Sequence, residues 1–253
     1  MSNFFGLFNY NKEGPGISKD QPQKKRFFLF FDIYFRRFWK LVTLNLLYLA
    51  CCIPIVTIGA ATAGFTYVIR NYAREDHCFL VSDFFGTIKK NWKMATVVNL
   101  INIVFSFLFI FSFLFYLDFD NVIFSTIATS VMVLVGIIFI SMQYYIYLLL
   151  ITFKLTFRQL YKNSFLFAII GLWRNILVSI LLLLLSLVIF LFYPISLFLV
   201  LFIYLSTCGF AIMFIIYPNV KKYMIDPIVN KDENTENSND GEQIFKDNTQ
   251  NLK

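Results

Sequence analysis

Charged residues are scarce in this sequence. They make up 15% of its 253 residues, whereas an average soluble protein carries roughly 25%. The sequence has one histidine, His77, and it lacks a phosphate-binding loop, a nucleophile elbow, a zinc-binding helix motif and a dinucleotide fingerprint. We therefore expect a protein without catalytic activity, without a cofactor and without a metal site.

Cysteines are also few, and their positions do not indicate chemistry. None of the pairs formed by Cys51, Cys52, Cys78 and Cys208 has the spacing of a zinc site. Three of the four lie in apolar runs, where a free thiol acts as a small hydrophobic side chain. We expect all of them to be free thiols.

Apolar residues are abundant instead, at 58% of the chain with 33 phenylalanines. Four long runs contain no charged residue: 94–117, 121–153, 175–192 and 194–220. Each is close to or above the about 20 residues that cross a bilayer as a helix. Each must be helical, because a single span in lipid has to satisfy its own backbone hydrogen bonds.

The first apolar region, residues 41–69, is interrupted by Pro54 and Gly59. Proline removes a backbone donor and clashes with the preceding turn, so the region predicts two helices joined by a tight turn. The apolar part of each is only about 20–24 Å long. The pair either spans a locally thinned bilayer or forms a hairpin that stops short, and in both cases the chain returns to the side that it left.

These patterns predict an all-α integral membrane protein with six transmembrane helices arranged as three helical hairpins. The membrane domain is expected to cover residues 27–225, between a polar cytosolic segment at 1–26 and a disordered cytosolic tail at 226–253, whose composition is too polar to form a core. The expected helices are about 39–53, 57–72, 94–117, 122–151, 171–192 and 195–218.

The basic residues predict the orientation. All 22 lysines and arginines lie in the N-terminal segment, the 70–93 and 154–174 connections or the C-terminal segment, and the opposite turns contain none. Because positive charge stays in the cytoplasm, we expect a multi-pass protein of the cell membrane with both termini cytoplasmic. The net charge of +7 then indicates contact with anionic inner-leaflet lipids rather than with nucleic acid.

An internal repeat is a further hypothesis. Residues 85–91 and 157–163 share Phe and Lys-Asn at a spacing of 72, which suggests parallel repeats, each a basic amphipathic interfacial helix followed by a hairpin. Such helices either anchor in lipid or dock a cytosolic partner. The candidate docking residues are Arg36, Arg37, Lys89, Lys90, Lys93, Lys154, Arg158 and Lys162.

Polar residues and glycines in the spans form a second candidate set: Asn45, Thr57, Gly59, Asn102 and Arg174. Polar side chains in a membrane bond neighbouring helices or line a polar path. Arg174 is interfacial if its helix begins near Gly171, and about 14 Å deep if the helix begins at Phe165. Gly59 belongs to a small-residue face suited to close helix packing.

Three stretches resemble a known family. They are Gly-Pro-Gly-Ile-Ser-Lys-Asp at 14–20, the run at 44–63 with Pro-Ile-Val-Thr-Ile-Gly-Ala at 54–60, and the entry segment at 85–93. Over residues 1–225 the chain resembles the YesL family of bacterial membrane proteins, which has no assigned biochemical activity. Family members are often encoded near carbohydrate ABC importers, so the resemblance implies a role alongside sugar uptake. It supplies no established site residues.

Two functions follow as expectations. The first is an accessory or assembly partner in carbohydrate uptake that contacts subunits of an ABC-type importer. The alternative is an independent small-solute transporter or channel. The sequence leaves the oligomeric state open.

Overall fold

The computed structural model describes residues 26–227, and this part of the chain is built from helices without a strand. The predicted polar segment at 1–26 and the predicted tail at 226–253 fall almost entirely outside the described residues. The helices are α1 (Arg26–Arg36), α2 (Phe38–Cys52), α3 (Ile58–Ala73), α4 (Leu80–Leu117), α5 (Val122–Thr152), α6 (Phe157–Ile170), α7 (Leu172–Leu191) and α8 (Leu197–Ile225).

Four helices, α4, α5, α7 and α8, are long and apolar enough to cross a membrane, and α2 is a shorter apolar helix. The predicted helix ends agree with the structure to within two residues for α2, α3, α5 and α7. The prediction for α8 was short at its end, since the helix continues past Pro218 through a π-helical turn to Ile225.

The prediction of a separate interfacial helix before the third span was wrong. α4 begins at Leu80 rather than near residue 94, so the segment that carries Lys89, Lys90 and Lys93 forms the first turns of one 38-residue helix. The segment contains no proline, and Gly86, its single glycine, costs only about 1 kcal/mol relative to alanine. The other two entry segments are separate helices, α1 and α6.

Local sequence explains the turns. Pro54 ends the α2 region, and the Thr57 hydroxyl donates to the carbonyl oxygens of Cys51 (2.5 Å) and Pro54 (2.7 Å). At the start of α5, the Asn121 side chain accepts hydrogen bonds from the backbone N–H groups of Ile123 and Phe124. Both arrangements satisfy backbone groups that a helix end leaves unpaired.

α3 is the centre of the bundle, with contacts to α2, α4, α5 and α8. Its small residues allow close approach: a Cβ atom on Gly59 would lie 2.3 Å from the Ala95 carbonyl oxygen, and one on Gly64 would lie 2.8 Å from that of Phe84. The small-residue face predicted from the sequence is therefore the α3–α4 contact.

The long helices around this centre expose apolar surface. In the most apolar windows of α4 and α5 only 6% of the residues are buried, and 11% in α7. α1 likewise packs Phe30 and Ile33 inward while Phe27, Phe28 and Phe35 are exposed. Apolar side chains exposed on this scale suit a lipid environment.

Candidate functional site

A cavity of about 340 Å³ lies between α2, α3, α5 and α8. Its volume is near the lower end of the about 300–1,000 Å³ typical of small-molecule pockets. The lining residues are Tyr48, Thr62, Phe65, Thr66, Ile69, Gln143, Tyr144, Tyr147, Leu205, Cys208, Gly209, Ile212 and Met213. Because none of them is charged, the cavity can accept only a neutral occupant without burying an unpaired ion.

Most hydroxyl groups of the cavity are paired within the protein. The Tyr48 hydroxyl lies 3.2 Å from the Thr62 hydroxyl, and the Tyr144 hydroxyl lies 2.9 Å from that of Ser179 on α7. The Tyr147 hydroxyl makes a long contact of 3.5 Å with Asn99 Oδ1. These pairs hold the tyrosine rings around the cavity.

A chain of hydrogen bonds ends at the cavity on α5. The Tyr161 hydroxyl donates to Asn102 Oδ1 (2.8 Å), and Asn102 Nδ2 donates to Gln143 Oε1 (2.9 Å). Gln143 Nε2 is buried and has no hydrogen-bond partner in the described part of the chain. A buried donor in this condition costs about 1–3 kcal/mol, so Gln143 adds an unsatisfied donor to the wall of the cavity.

Asn45 does not belong to the hydrogen-bond chain of Asn102 and bonds a different helix. It is fully buried on α2, where its Nδ2 donates to the carbonyl oxygens of Val200 (3.1 Å) and Leu201 (2.7 Å) and its Oδ1 accepts from Ser206 N (2.9 Å). These three bonds hold α2 against the π-helical turn Val200–Tyr204 of α8. Asn45 therefore bonds a neighbouring helix, as the first interpretation of the polar residues predicts.

Arg174 lies in a polar cluster at the start of α7. Because α7 begins at Leu172, the helix start agrees with the interfacial alternative for Arg174. Its NH1 group donates to Asn219 Oδ1 on α8. Next to this pair, Asn175 accepts from the Tyr145 hydroxyl (2.8 Å) and donates to the Ala168 carbonyl (3.0 Å).

The five predicted path residues are therefore not gathered in one site. Thr57 is in the α2–α3 turn, Gly59 is in the α3–α4 contact, and Arg174 is in the α7–α8 cluster. Only Asn102 reaches the cavity, through Gln143. The tyrosines and threonines of the cavity were missed, although Thr62 and Thr66, and likewise Gln143 and Tyr147, are four residues apart and so share a helix face.

The predicted basic residues form a clearer surface. A cleft of about 500 Å³ lies between the first half of α4 and the end of α5, and we call it the basic cleft. Lys90 and Lys93 line it from α4, and Lys154 lines it from the segment after α5. Its other lining residues are Asn91, Trp92, Met94, Leu150, Ile151, Thr152, Phe153 and Leu155.

The remaining docking candidates lie outside the basic cleft. Arg36 forms a 2.5 Å ion pair with Glu75, and this hydrogen bond raises the pKa of the guanidinium above its usual value. Arg37 donates to the Asp76 carbonyl and stacks over the Tyr72 ring. These two arginines thus attach α1 to the loop after α3. Lys89, Arg158 and Lys162 are exposed.

The helices and their exposed apolar surface define an all-helical membrane protein. Residues 41–113 match the model of the family described as protein of unknown function, DUF624. That family includes the YesL-type bacterial membrane proteins, so the predicted resemblance is confirmed over residues 41–113 and stays a prediction for the rest of residues 1–225. The comparisons with curated proteins and with solved structures gave no match.

Proposed function

We propose that this chain is a multi-pass protein of a bacterial cell membrane that acts without catalysis, as an accessory or assembly partner of an ABC-type carbohydrate importer. The family resemblance supplies the setting of sugar uptake. The observation that supports a partner is the basic cleft, in which three lysines from two separate parts of the chain come together.

The charge of the basic cleft favours an acidic segment of an importer subunit as its occupant. Lys90, Lys93 and Lys154 form no ion pair with a carboxylate in the described region. Trp92, whose side chain is 53% exposed, adds an apolar surface beside them. Cations that have no carboxylate partner among the described residues, beside an exposed aromatic ring, offer both charge complementarity and apolar contact.

We expect the triple variant Lys90→Gln, Lys93→Gln, Lys154→Gln to lose about threefold or more of its cross-linking to importer subunits in native membranes, since each partly exposed charge contributes roughly 0.2–1 kcal/mol. Glutamine keeps the side chains polar, and the other basic residues still direct topology. The matched control is Arg158→Gln with Lys162→Gln on α6. An unchanged yield in the triple variant, or an equal loss in the control, would contradict docking at the basic cleft.

The same proposal includes six spans with both termini in the cytoplasm, and anionic inner-leaflet lipids around the basic flanks. Support for the first hairpin as a span comes from two contacts with α8: Tyr34 of α1 contacts Thr207, and Asn45 of α2 contacts Val200 and Leu201, so α1 and α2 together run antiparallel to α8. These residues lie just after the Tyr193–Pro194 turn. The end of α2 therefore approaches the same end of the bundle as that turn.

Cysteine labelling of intact cells tests this topology. In a variant whose four cysteines are serine, Val56→Cys and Phe119→Cys are each expected to react with a membrane-impermeant maleimide added outside. Thr156→Cys, in the α5–α6 connection, is expected to react only after the cells are opened. Labelling of Phe119→Cys without Val56→Cys would refute the six-span arrangement and favour a first hairpin that stops short.

The second candidate function is an independent small-solute transporter or channel. The neutral cavity favours it, because the cavity is built from four helices and includes an unpaired donor. This function predicts solute flux through purified protein in liposomes.

A further inference from the structure

The cavity between α2, α3, α5 and α8 contains hydrogen-bonding capacity that residues 26–227 do not use. Gln143 cannot turn its carbonyl end into the cavity without breaking the bond from Asn102, and Asn102 is itself held by Tyr161. The network therefore leaves the amide N–H of Gln143 unpaired. The group of Gln143 that lacks a hydrogen-bond partner among the described residues is therefore a donor.

The Thr66 hydroxyl is a second group whose hydrogen-bonding capacity is not used by the described residues. Thr66 lines the cavity from α3, and its hydroxyl makes no hydrogen bond within the described residues. The neighbouring hydroxyl pairs, Tyr48 with Thr62 and Tyr144 with Ser179, already satisfy each other. A ligand that carries an acceptor oxygen would complete the pairing of Gln143 without disturbing these bonds.

The rest of the lining is apolar. Phe65 and Ile69 line the cavity from α3, and Leu205, Ile212 and Met213 line it from α8. A strongly hydrated molecule would lose more hydrogen bonds with water than these walls replace. The lining thus selects against ions and against molecules with many polar groups.

We infer that the cavity binds a small, uncharged and mainly apolar molecule that carries a carbonyl, ester or ether oxygen, which accepts a hydrogen bond from Gln143 Nε2. This inference deepens the second proposed function, because it gives the ligand class of the same cavity. Two sources supply such chemistry, a neutral membrane lipid and a neutral solute.

Benzophenone is a suitable probe, because it is neutral, carries one acceptor oxygen and cross-links to nearby C–H groups under light. We expect photolabelling of the full-length protein in nanodiscs to modify cavity residues such as Ile212 and Met213 in a saturable manner. Diphenylmethane has a similar shape but lacks the oxygen. As a competitor of the probe it should be about fivefold to tenfold less effective than a benzophenone analogue, the ratio expected for the loss of one hydrogen bond.

Two variants distinguish the effect of losing the hydrogen-bond donor from the effect of losing cavity volume. Gln143→Leu removes the donor at similar size and should lower cavity labelling about fivefold or more, while Ile212→Phe should block it by filling space. Labelling of lipid-facing residues such as Phe107 and Phe111 is the internal control for folding and probe concentration. Labelling confined to the lipid-facing residues, or cavity labelling unchanged in Gln143→Leu, would overturn the inference.

Further measurements distinguish the source and the function. A neutral lipid that copurifies with the native protein and is lost in Ile212→Phe identifies the membrane as the source, and its absence with intact benzophenone labelling identifies a solute. Flux in liposomes is scored separately. Cavity labelling in vesicles that remain tight supports the binding inference and rejects the transport proposal.

Discussion

Replacing Gly59 by alanine is expected to destabilise the protein by about 1–3 kcal/mol, the usual cost of overpacking a close contact. The added Cβ would lie 2.3 Å from the Ala95 carbonyl oxygen and 2.7 Å from the Asn99 Cβ. The nearest obstacle is backbone rather than the end of a flexible side chain, so α3 and α4 must move apart. Valine at this position should cost more.

The melting temperature of the purified protein in detergent checks this prediction. A loss of this size should lower it by several degrees, given about 2–4 °C per kcal/mol for a chain of this length. Gly86→Ala on α4 is the matched control, because a Cβ added there would have no atom within 4 Å and alanine favours a helix by about 1 kcal/mol. Equal melting temperatures for the two variants would show that Gly59 is not a packing contact.

The helices could be predicted from the sequence where a local signal marks their ends. Pro54 separates α2 from α3, and Asn121 caps α5. The start of α4 carries no such signal for a break, since the change from basic to apolar residues near Met94 alters the surroundings of the helix without interrupting its backbone. A change of polarity was therefore mistaken for the end of an element.

The two candidate sites also differed in how far they could be predicted from the sequence. Lys90, Lys93 and Lys154 could be predicted as one basic surface, because charges that flank neighbouring spans meet at one end of a bundle. The cavity could not, because Tyr48, Thr66 and Gln143 come from three helices whose relative rotation depends on packing. In the sequence each of them is an ordinary polar residue within an apolar helix.

Replacing Asn45 by leucine is expected to cost about 3 kcal/mol or more, because it removes three hydrogen bonds at once in an apolar environment where each unpaired group costs about 1–3 kcal/mol. The partners left behind are the carbonyls of Val200 and Leu201 and the N–H of Ser206. A π-helical turn departs from regular α-helical pairing, and the Asn45 side chain bonds these three backbone groups from another helix. Leucine has a similar volume, and the loss is therefore one of hydrogen bonding rather than of packing.

Hydrogen exchange and thermal melting together test this role of Asn45. In Asn45→Leu the amide of Ser206 should exchange faster while amides near Tyr145 keep their protection, and the melting temperature should fall by several degrees. Asn45→Asp keeps an acceptor for Ser206 but loses both donors and buries a charge. Its melting temperature should therefore be no higher than that of Asn45→Leu. The control is Asn163→Leu, since Asn163 makes no hydrogen bond in the described region. If Asn45→Leu and Asn163→Leu behave alike, α8 holds its π-helical turn without α2, and the hydrogen bonds of Asn45 do not hold α2 against α8.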